Sequence, residues 1–432
     1  MGRPYVCVLA LAAVLLLVFA TVSRSKGLRG REHQETSRIP SQFSEEERVA
    51  IKEALKGAIQ IPTVSLSQEE YNTTALAEFG EYIHKVFPTV FSTSFIQHET
   101  VGSYSHLFTV QGSDASLQPY MLLAHFDVVP ASKEGWEVPP FSGLEREGFI
   151  HGRGTLDNKN SVMAILHALE LLLIRNYIPR RSFFISLGHD EELSGMNGAQ
   201  KISALLQARG IQLAFIVDEG SFILNGFIPN IKKPFAMISV SEKGAINLML
   251  QVNMTPGHSS APPKETSIGI IAAAISRLEQ TPMPNMFGSG PLEMAVQQLA
   301  SEVLEFVKNV VADDRVQFHV LNAFDPLPIS PFDDQALGYQ LLRQTIQSVF
   351  PEVSIVTPGF CIGNTDSRHF TNLTTDIYRF NPVNLHPEGF KSIHGINEKI
   401  SVQDYETQVK FIFELIQNAD IDGRPVPHLH EL

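Results

Sequence analysis

Short apolar runs alternate with amphipathic helices through the first half of this chain, and no other feature limits its fold as strongly. Residues 119–125 read as a buried strand and 182–187 and 213–217 as two more. Between them lie a helix from about Asn158 to Arg175, with Val162, Ile165, Leu166, Leu169 and Leu172 on one side, and a helix at 196–208. Strands separated by helices predict an α/β domain with a mainly parallel central sheet. In such sheets, sites form beyond the carboxyl ends of the strands. His125, Glu191, Glu192 and Asp218 all fall there.

The ends of these runs carry the chemistry. Gly188-His189-Asp190-Glu191-Glu192 closes an apolar run with two adjacent carboxylates, which repel unless something offsets their charge. Adjacent side chains point in different directions, so one glutamate can bind a metal while the other moves a proton. The simpler alternative, a solvated acidic loop, fits poorly after a strand that reads as buried. His125-Phe126-Asp127 puts an imidazole and a carboxylate at alternate positions, both off one side of an extended strand. His125 can ligate a metal while Asp127 accepts its other N–H. A surface pair at a strand end explains the same two residues equally well. Asp157 follows the turn Gly152-Arg153-Gly154 and reads either as a helix N-cap or as a carboxylate bridging two ions. In Asp218-Glu219-Gly220 we take Asp218 as the candidate ligand and Glu219 as support or surface charge. His394, in Ile393-His394-Gly395, offers a late imidazole. Together these residues point to a two-metal hydrolase.

The flanking segments fill out the organisation. Ser44 with Glu47 predicts a capped helix over Val49, Ile51 and Leu55, and Ser67 with Glu70 a second helix toward Val86. This places a first catalytic segment at 44–240. From 241 the rhythm changes: 245–252 alternates like a half-exposed antiparallel strand, followed by helices at 266–279 and about 293–312 and a strand at 315–321. Residues 241–324 therefore read as a small inserted α+β domain. The proline-rich run Asp325–Pro331 returns the chain to a second catalytic segment, 325–420, with a helix near 334–349, strands at 353–357 and 376–380, and a helix at 402–418.

Composition narrows the function. The chain has 432 residues, 44% of them hydrophobic, which is enough for roughly two domains. Its formal charge of −13, with no basic stripe, excludes a general nucleic-acid binder. Arg3 followed by the apolar run Val6–Ala20 reads as a signal peptide over 1–25, an uncleaved anchor being the alternative, and 26–43 as a flexible leader. No other stretch is long and apolar enough to span a membrane, so cleavage leaves no span and implies secretion. Cys7 leaves with the signal, so Cys361 has no intramolecular partner. Asn72, Asn253 and Asn372 begin glycosylation sequons. The tail, 421–432, carries His428 and His430 and ends in a weak likeness to a retrieval signal; a disordered tail explains it equally well.

Taken in order, His-x-Asp, Gly-Arg-Gly-x-x-Asp-Asn-Lys, Asp-Glu-Glu, Asp-Glu-Gly, Gly-His-Ser-Ser and His-Gly resemble the aminoacylase/carboxypeptidase family of two-zinc metallohydrolases over roughly 125–394. The resemblance implies a zinc-exopeptidase-like catalytic domain with a ferredoxin-like lid and two Zn2+ ions per subunit. Asp157 would bridge them, with His125 and Asp218 on one ion and Glu192 and His394 on the other. Glu191 would be general base and then acid, Asp127 would orient His125, and the Asp157–Asn158 peptide would be a candidate cis bond. His258 in Pro256-Gly257-His258-Ser259-Ser260 would stabilise the oxyanion, from the partner subunit in several family members, and Arg368 with Asn364 and Thr365 would bind the substrate carboxylate. A surface-loop histidine and a surface ion pair are the plainer readings of His258 and Arg368. The implied substrates are small molecules: N-acyl amino acids, fatty-acyl ones among them, made from or split to an acid and an amino acid. Hydrolysis of small peptides by a Gly-X-type carboxypeptidase is the alternative. One part of the pattern is missing. Two strands should follow the helix at 266–279, yet the chain passes from Gly288-Ser289-Gly290-Pro291 almost directly into the second helix. A shortened lid weakens the case for a homodimer and opens a third reading, a catalytically dead form that only binds.

Overall fold

The computed structural model describes residues 38–67, 70–227, 233–283 and 300–420. The signal segment 1–25, most of the leader 26–43 and the tail with His428 and His430 lie outside the described residues. The chain separates after Pro40, and Ser41–Leu432 is one unit.

Helix α1 (Glu45–Gln60) starts at the box read from the sequence: Glu47 N donates to Ser44 Oγ at 3.2 Å and Ser44 N to Glu47 Oε2 at 2.6 Å. Ile51 and Leu55 are buried, whereas Val49 faces outward. The second expected box does not form. Ser65–Ser67 pairs with Glu70–Tyr71 as a short antiparallel ribbon, and the next helix, Thr73–Val86, is capped by Asn72, whose Oδ1 accepts from Ala75 N at 3.2 Å. The ribbon draws Ser67 and Glu70 into strand pairing, so the nearer cap takes over.

The remaining principal elements, in chain order, are β1 (Ile96–Val101), β2 (Ser105–Val110), β3 (Tyr120–His125), α2 (Lys159–Ile174), β4 (Phe183–Gly188), α3 (Ala199–Ala208), β5 (Ile216–Leu224), β6 (Phe235–Glu242), β7 (Ala245–Val252), α4 (Ser267–Gln280), α5 (Ala300–Val311), β8 (Val316–Phe324), α6 (Leu337–Val349), β9 (Ile355–Cys361), β10 (Ile377–Leu385) and α7 (Val402–Ala419). Eight strands form one mixed sheet in the order β9-β6-β10-β5-β3-β4-β2-β1. Its centre, β10-β5-β3-β4, is wholly parallel, as the alternation of strand and helix predicts. The sequence reading missed the antiparallel hairpin β1–β2 at one edge and strand β6, which pairs parallel to β9. Polar residues such as Gln97, His98 and Glu99 mask the strand period in β1.

On one side of the sheet, Leu107, Met121, Leu123, Phe184, Ile216 and Ile377 pack with Ile202 and Leu206 of α3. The other side is covered by α2, α6 and α7. Helix α2 is buried almost all round, from Val162 to Leu173, because α1 and α7 pack against it beyond the sheet. Tyr120 stacks between Phe183 and Phe215, with centroids 5.1 and 5.0 Å away.

The segment 245–324 has a small core of its own, Ile270, Ala274, Val311 and Val316. Among the described residues its sheet consists of β7 and β8, paired antiparallel, with α4 and α5 beside it. The middle hairpin of a ferredoxin-like unit is absent among the described residues. The entering and leaving chains run side by side, with Leu327 N donating to Glu242 O at 3.0 Å and Ser330 N to Val240 O at 2.8 Å.

Candidate metal centre

The parallel centre of the sheet delivers the site. His125 ends β3, Glu191 and Glu192 lie in a single 3₁₀ turn just past β4, and Asp157 immediately precedes Asn158, the N-cap of α2. The Asp157–Asn158 peptide is cis, as the resemblance implies. His394 arrives from far along the chain, on a loop after the short helix Pro387–Ser392.

Asp157 stands between the two imidazoles. Its Oδ1 is 3.0 Å from His125 Nε2 and its Oδ2 is 2.9 Å from His394 Nε2. His394 Nε2 is also 3.2 Å from Glu192 Oε2, and Glu191 Oε2 lies 3.9 Å from His125 Nε2. Asp127 is fully buried. Its carboxylate approaches His125 Nδ1 at 3.3 Å, while the Asp127 backbone oxygen is nearer at 3.0 Å. The same carboxylate accepts from Glu191 N at 3.1 Å, Glu192 N at 3.2 Å and Ser65 Oγ at 2.8 Å. Asp127 therefore anchors the turn that carries both glutamates as well as facing the histidine.

Asp218 does not join this group. Strand β5 continues through Leu224 instead of stopping at Val217, so Asp218 and Glu219 project to opposite faces. Glu219 Oε1 reaches His125 Nε2 at 2.9 Å. Asp218 turns the other way and accepts from Ser367 N at 2.9 Å. The Asp-Glu doublet was visible in the sequence, but strand length and register decide which acid faces the imidazole.

Two sets of atoms that lie within 4.8 Å of one another could hold a metal ion among the described residues: His125, Asp157 and Glu192, and His125, Glu191 and Glu219. Burial dominates the electrostatics. It raises Glu191 well above the usual carboxylate range, with the charges of Asp366, Glu219 and Glu192 adding to it. Burial and the charge of Asp157 push Glu192 up to about 7. Burial, then Asp157, pushes Glu219 up to about 8. Burial opposes charge on His125, yet Glu219, Asp127 and Asp157 outweigh it and raise its pKa well above the ordinary value. Glu192 Oε1 is buried without a hydrogen-bond partner. Crowded carboxylates, converging imidazoles and an orphaned carboxylate oxygen are the donor set that a divalent cation satisfies.

The other predicted residues sit elsewhere. Arg368 lies 5.3 Å over the Phe324 ring and lines a cavity of about 240 Å3 with Ser194, Met196, Asn322, Leu327 and His369. Asn364 and Thr365 do not line it. Asn364 Nδ2 donates to Lys243 O at 2.9 Å and Thr365 Oγ1 to Glu242, which ties their loop to the base of the 245–324 segment. His258 is exposed in its own loop, its Nδ1 2.8 Å from Ser260 Oγ, and is not gathered with the carboxylates. Asn253 and Asn372 are exposed. Asn72 is engaged as a cap, and its Nδ2 donates to Pro62 O at 3.1 Å.

Comparison with known proteins identifies the family. Residues 121–418 match the model of peptidase family M20/M25/M40. The chain is 68% identical to an N-fatty-acyl-amino acid synthase/hydrolase of Bos taurus, with all of both chains covered. It is 31% identical to a probable carboxypeptidase S-like protein of Dictyostelium discoideum, over 86% of this chain and 85% of the other. The bovine comparison runs over 503 positions, 71 more than the 432 residues here, so the relative has internal sequence that this chain lacks. The fold matches that of human carnosine dipeptidase 1 with a TM-score of 0.63 at 15% identity, over 87% of this chain and 97% of the other. This chain is a hydrolase belonging to peptidase family M20/M25/M40.

Proposed function

We propose that this protein is a two-zinc amidohydrolase that splits N-fatty-acyl amino acids into a fatty acid and an amino acid, and joins them in reverse. The observation that carries the reading is the Asp157 carboxylate, with one oxygen on His125 and the other on His394 and both glutamates of the 191–192 turn beside it. The substrate class rests on the 68% identical relative and its printed activity.

His125, Glu219 and Asp157 would hold one ion, and Asp157, Glu192 and His394 the other. When bound, zinc supplies Lewis acidity that polarises the scissile carbonyl and acidifies water. The chain supplies the rest. Glu191, raised by burial, takes a proton from water at Oε2 and returns it to the leaving nitrogen. Asp127 holds the 191–192 turn in place and fixes His125 with Nδ1 as donor. Arg368, beside Ser194 in the cavity next to that turn, pairs with the substrate carboxylate. Secretion with loss of residues 1–25, and glycans at the exposed Asn253 and Asn372, complete the reading.

One observation favours a second reading. His258 is exposed in its own loop and, among the described residues, the 245–324 segment has no middle hairpin, which fits a form that binds substrate without turning it over. Assay of N-oleoyl-phenylalanine and Gly-Leu, with Glu191→Gln as control and zinc measured in both proteins, separates these readings. We expect turnover of the acyl amino acid above that of the dipeptide, abolished in the variant. Greater turnover of Gly-Leu would make the protein a carboxypeptidase. Parent activity no higher than the variant's, with two zincs bound, would make it the inactive form.

A further inference from the structure

Two loops, far apart in sequence, meet at the proposed second metal position. One carries Asp157 and the other His394. Beside the backbone bond from Gly152 N to Glu398 O at 2.9 Å and the pairing of Lys399 with His151, a buried carboxylate joins them. Glu398 is fully buried, and its Oε1 accepts from three backbone N–H groups of the first loop: Gly154 N at 3.1 Å, Leu156 N at 2.7 Å and, more weakly, Asp157 N at 3.3 Å. Its Oε2 accepts from Arg153 Nη1 at 2.6 Å. The same guanidinium returns to the second loop, where Nη2 donates to Gly395 O at 2.7 Å. Arg153 thus holds the loop at two points just after His394, at Gly395 beside it and at Glu398 beyond it.

The His394 loop needs such a tie. His394 and Asn397 both adopt left-handed backbone angles, with φ of 58° and 61°. The His394 side chain is 52% exposed and Ile396 is exposed at the surface. His125 and Glu219 have no comparable dependence, because the paired strands β3 and β5 hold them through Met121↔Ile216 and Leu122↔Val217. We propose that Glu398 and Arg153 form a positioning clamp that sets His394 against Asp157 and so governs occupancy of the His394-side metal position, leaving the His125 side intact. The inference rests on the two-metal reading above.

The chemistry of the clamp makes glutamine an informative replacement. A glutamine has only one acceptor oxygen, so its NH2 group must face either the backbone N–H donors or the Arg153 guanidinium. One set of bonds is lost without changing side-chain length. Arg153→Lys is the second variant, since an ammonium keeps the charge but cannot reproduce the two-armed fork.

Zinc per chain is measured at fixed, buffered free zinc, alongside thermal unfolding of the apoproteins and kcat and KM against free zinc. We expect two ions in the parent and one in Glu398→Gln, with the second recovered only at about ten- to a hundredfold higher free zinc. The kcat should recover with that ion while KM stays constant, and Arg153→Lys should shift the same way with apoprotein unfolding near the parent's. Two ions held equally tightly by the parent and both variants would overturn the clamp alone. Loss of both ions together, with a collapse of apoprotein stability in both variants, would also overturn it, leaving only a structural role. Fewer than two ions in the parent would overturn the two-metal reading and the clamp with it.

Discussion

Glu219 Oε1 lies 2.9 Å from His125 Nε2, while the neighbouring Asp218 is bonded to the backbone of Ser367. The two adjacent acids thus face different partners, one at the proposed metal centre and one under the loop that carries Arg368. Glu219→Gln should remove one zinc and lower kcat more than about tenfold. Asp218→Asn should leave two zincs in place. Metal analysis of the two purified variants checks this, and loss of zinc from Asp218→Asn alone would reverse the assignment.

Glu191 is the residue whose chemistry should be separable from metal binding. Glu191→Gln should retain both ions and the thermal stability of the parent while kcat falls by roughly two to four powers of ten. A variant that loses zinc in parallel with activity would show Glu191 to be a ligand.

A buried ion pair lies under the base of the 245–324 segment. Arg379 Nε donates to Glu242 Oε1 at 2.5 Å, both side chains are almost inaccessible, and Thr365 bonds to the same oxygen. Arg379→Met leaves Glu242 buried without its partner, so urea unfolding should show a loss of about 3–5 kcal/mol. Replacing both residues with apolar ones of similar volume should cost clearly less. Equal costs for the single and double variants would mean that packing, not charge, dominates there.

Acid should weaken the protein through α2. His167 is buried against Phe87, with ring centroids 5.4 Å apart, and burial lowers its pKa to about 4. The unfolded chain takes up this proton near the ordinary value of 6.5, so it binds more protons than the folded state between those limits. The His167 contribution is therefore complete above pH 6.5 and is lost as pH falls toward 4, at up to about 1.4 kcal/mol per pH unit. His167→Leu should flatten that slope in unfolding experiments at pH 7, 6 and 5; an unchanged slope would place the acid sensitivity elsewhere.

The shortened β7–β8 segment predicts a gain on repair. Inserting the relative's missing sequence ahead of α5 should raise kcat/KM for the acyl amino acid. It should also make His258→Ala costly, whereas in the present chain the same substitution should change little. Steady-state kinetics on the four proteins tests this, and an equal His258→Ala effect in both backgrounds would show that the short lid already brings the imidazole to the substrate.

Much of the site could be read along the chain because its chemistry is local. A carboxylate or imidazole at the end of an apolar run marks His125, Glu191 and Glu192, and a glycine-rich turn marks Asp157, without any knowledge of pairing. Helix caps were legible only where no strand competed: the Ser44 box formed, and the Ser67 box gave way to the ribbon that recruits it. Strands β1, β2 and β6 escaped because period-2 alternation is indistinct in short, polar or mixed runs.

The sequence by itself determined the class of fold and the kinds of side chain that end its strands, since strand–helix alternation and residue chemistry need no long-range contact to be seen. Only the tertiary structure decided that Glu219 and not Asp218 faces His125, that Asn364 and Thr365 tie their loop to the base of the 245–324 segment, and that Glu398 joins the loops of Asp157 and His394. Those choices depend on which face of a strand meets which neighbour, and that is fixed by sheet register and by burial between segments widely separated along the chain.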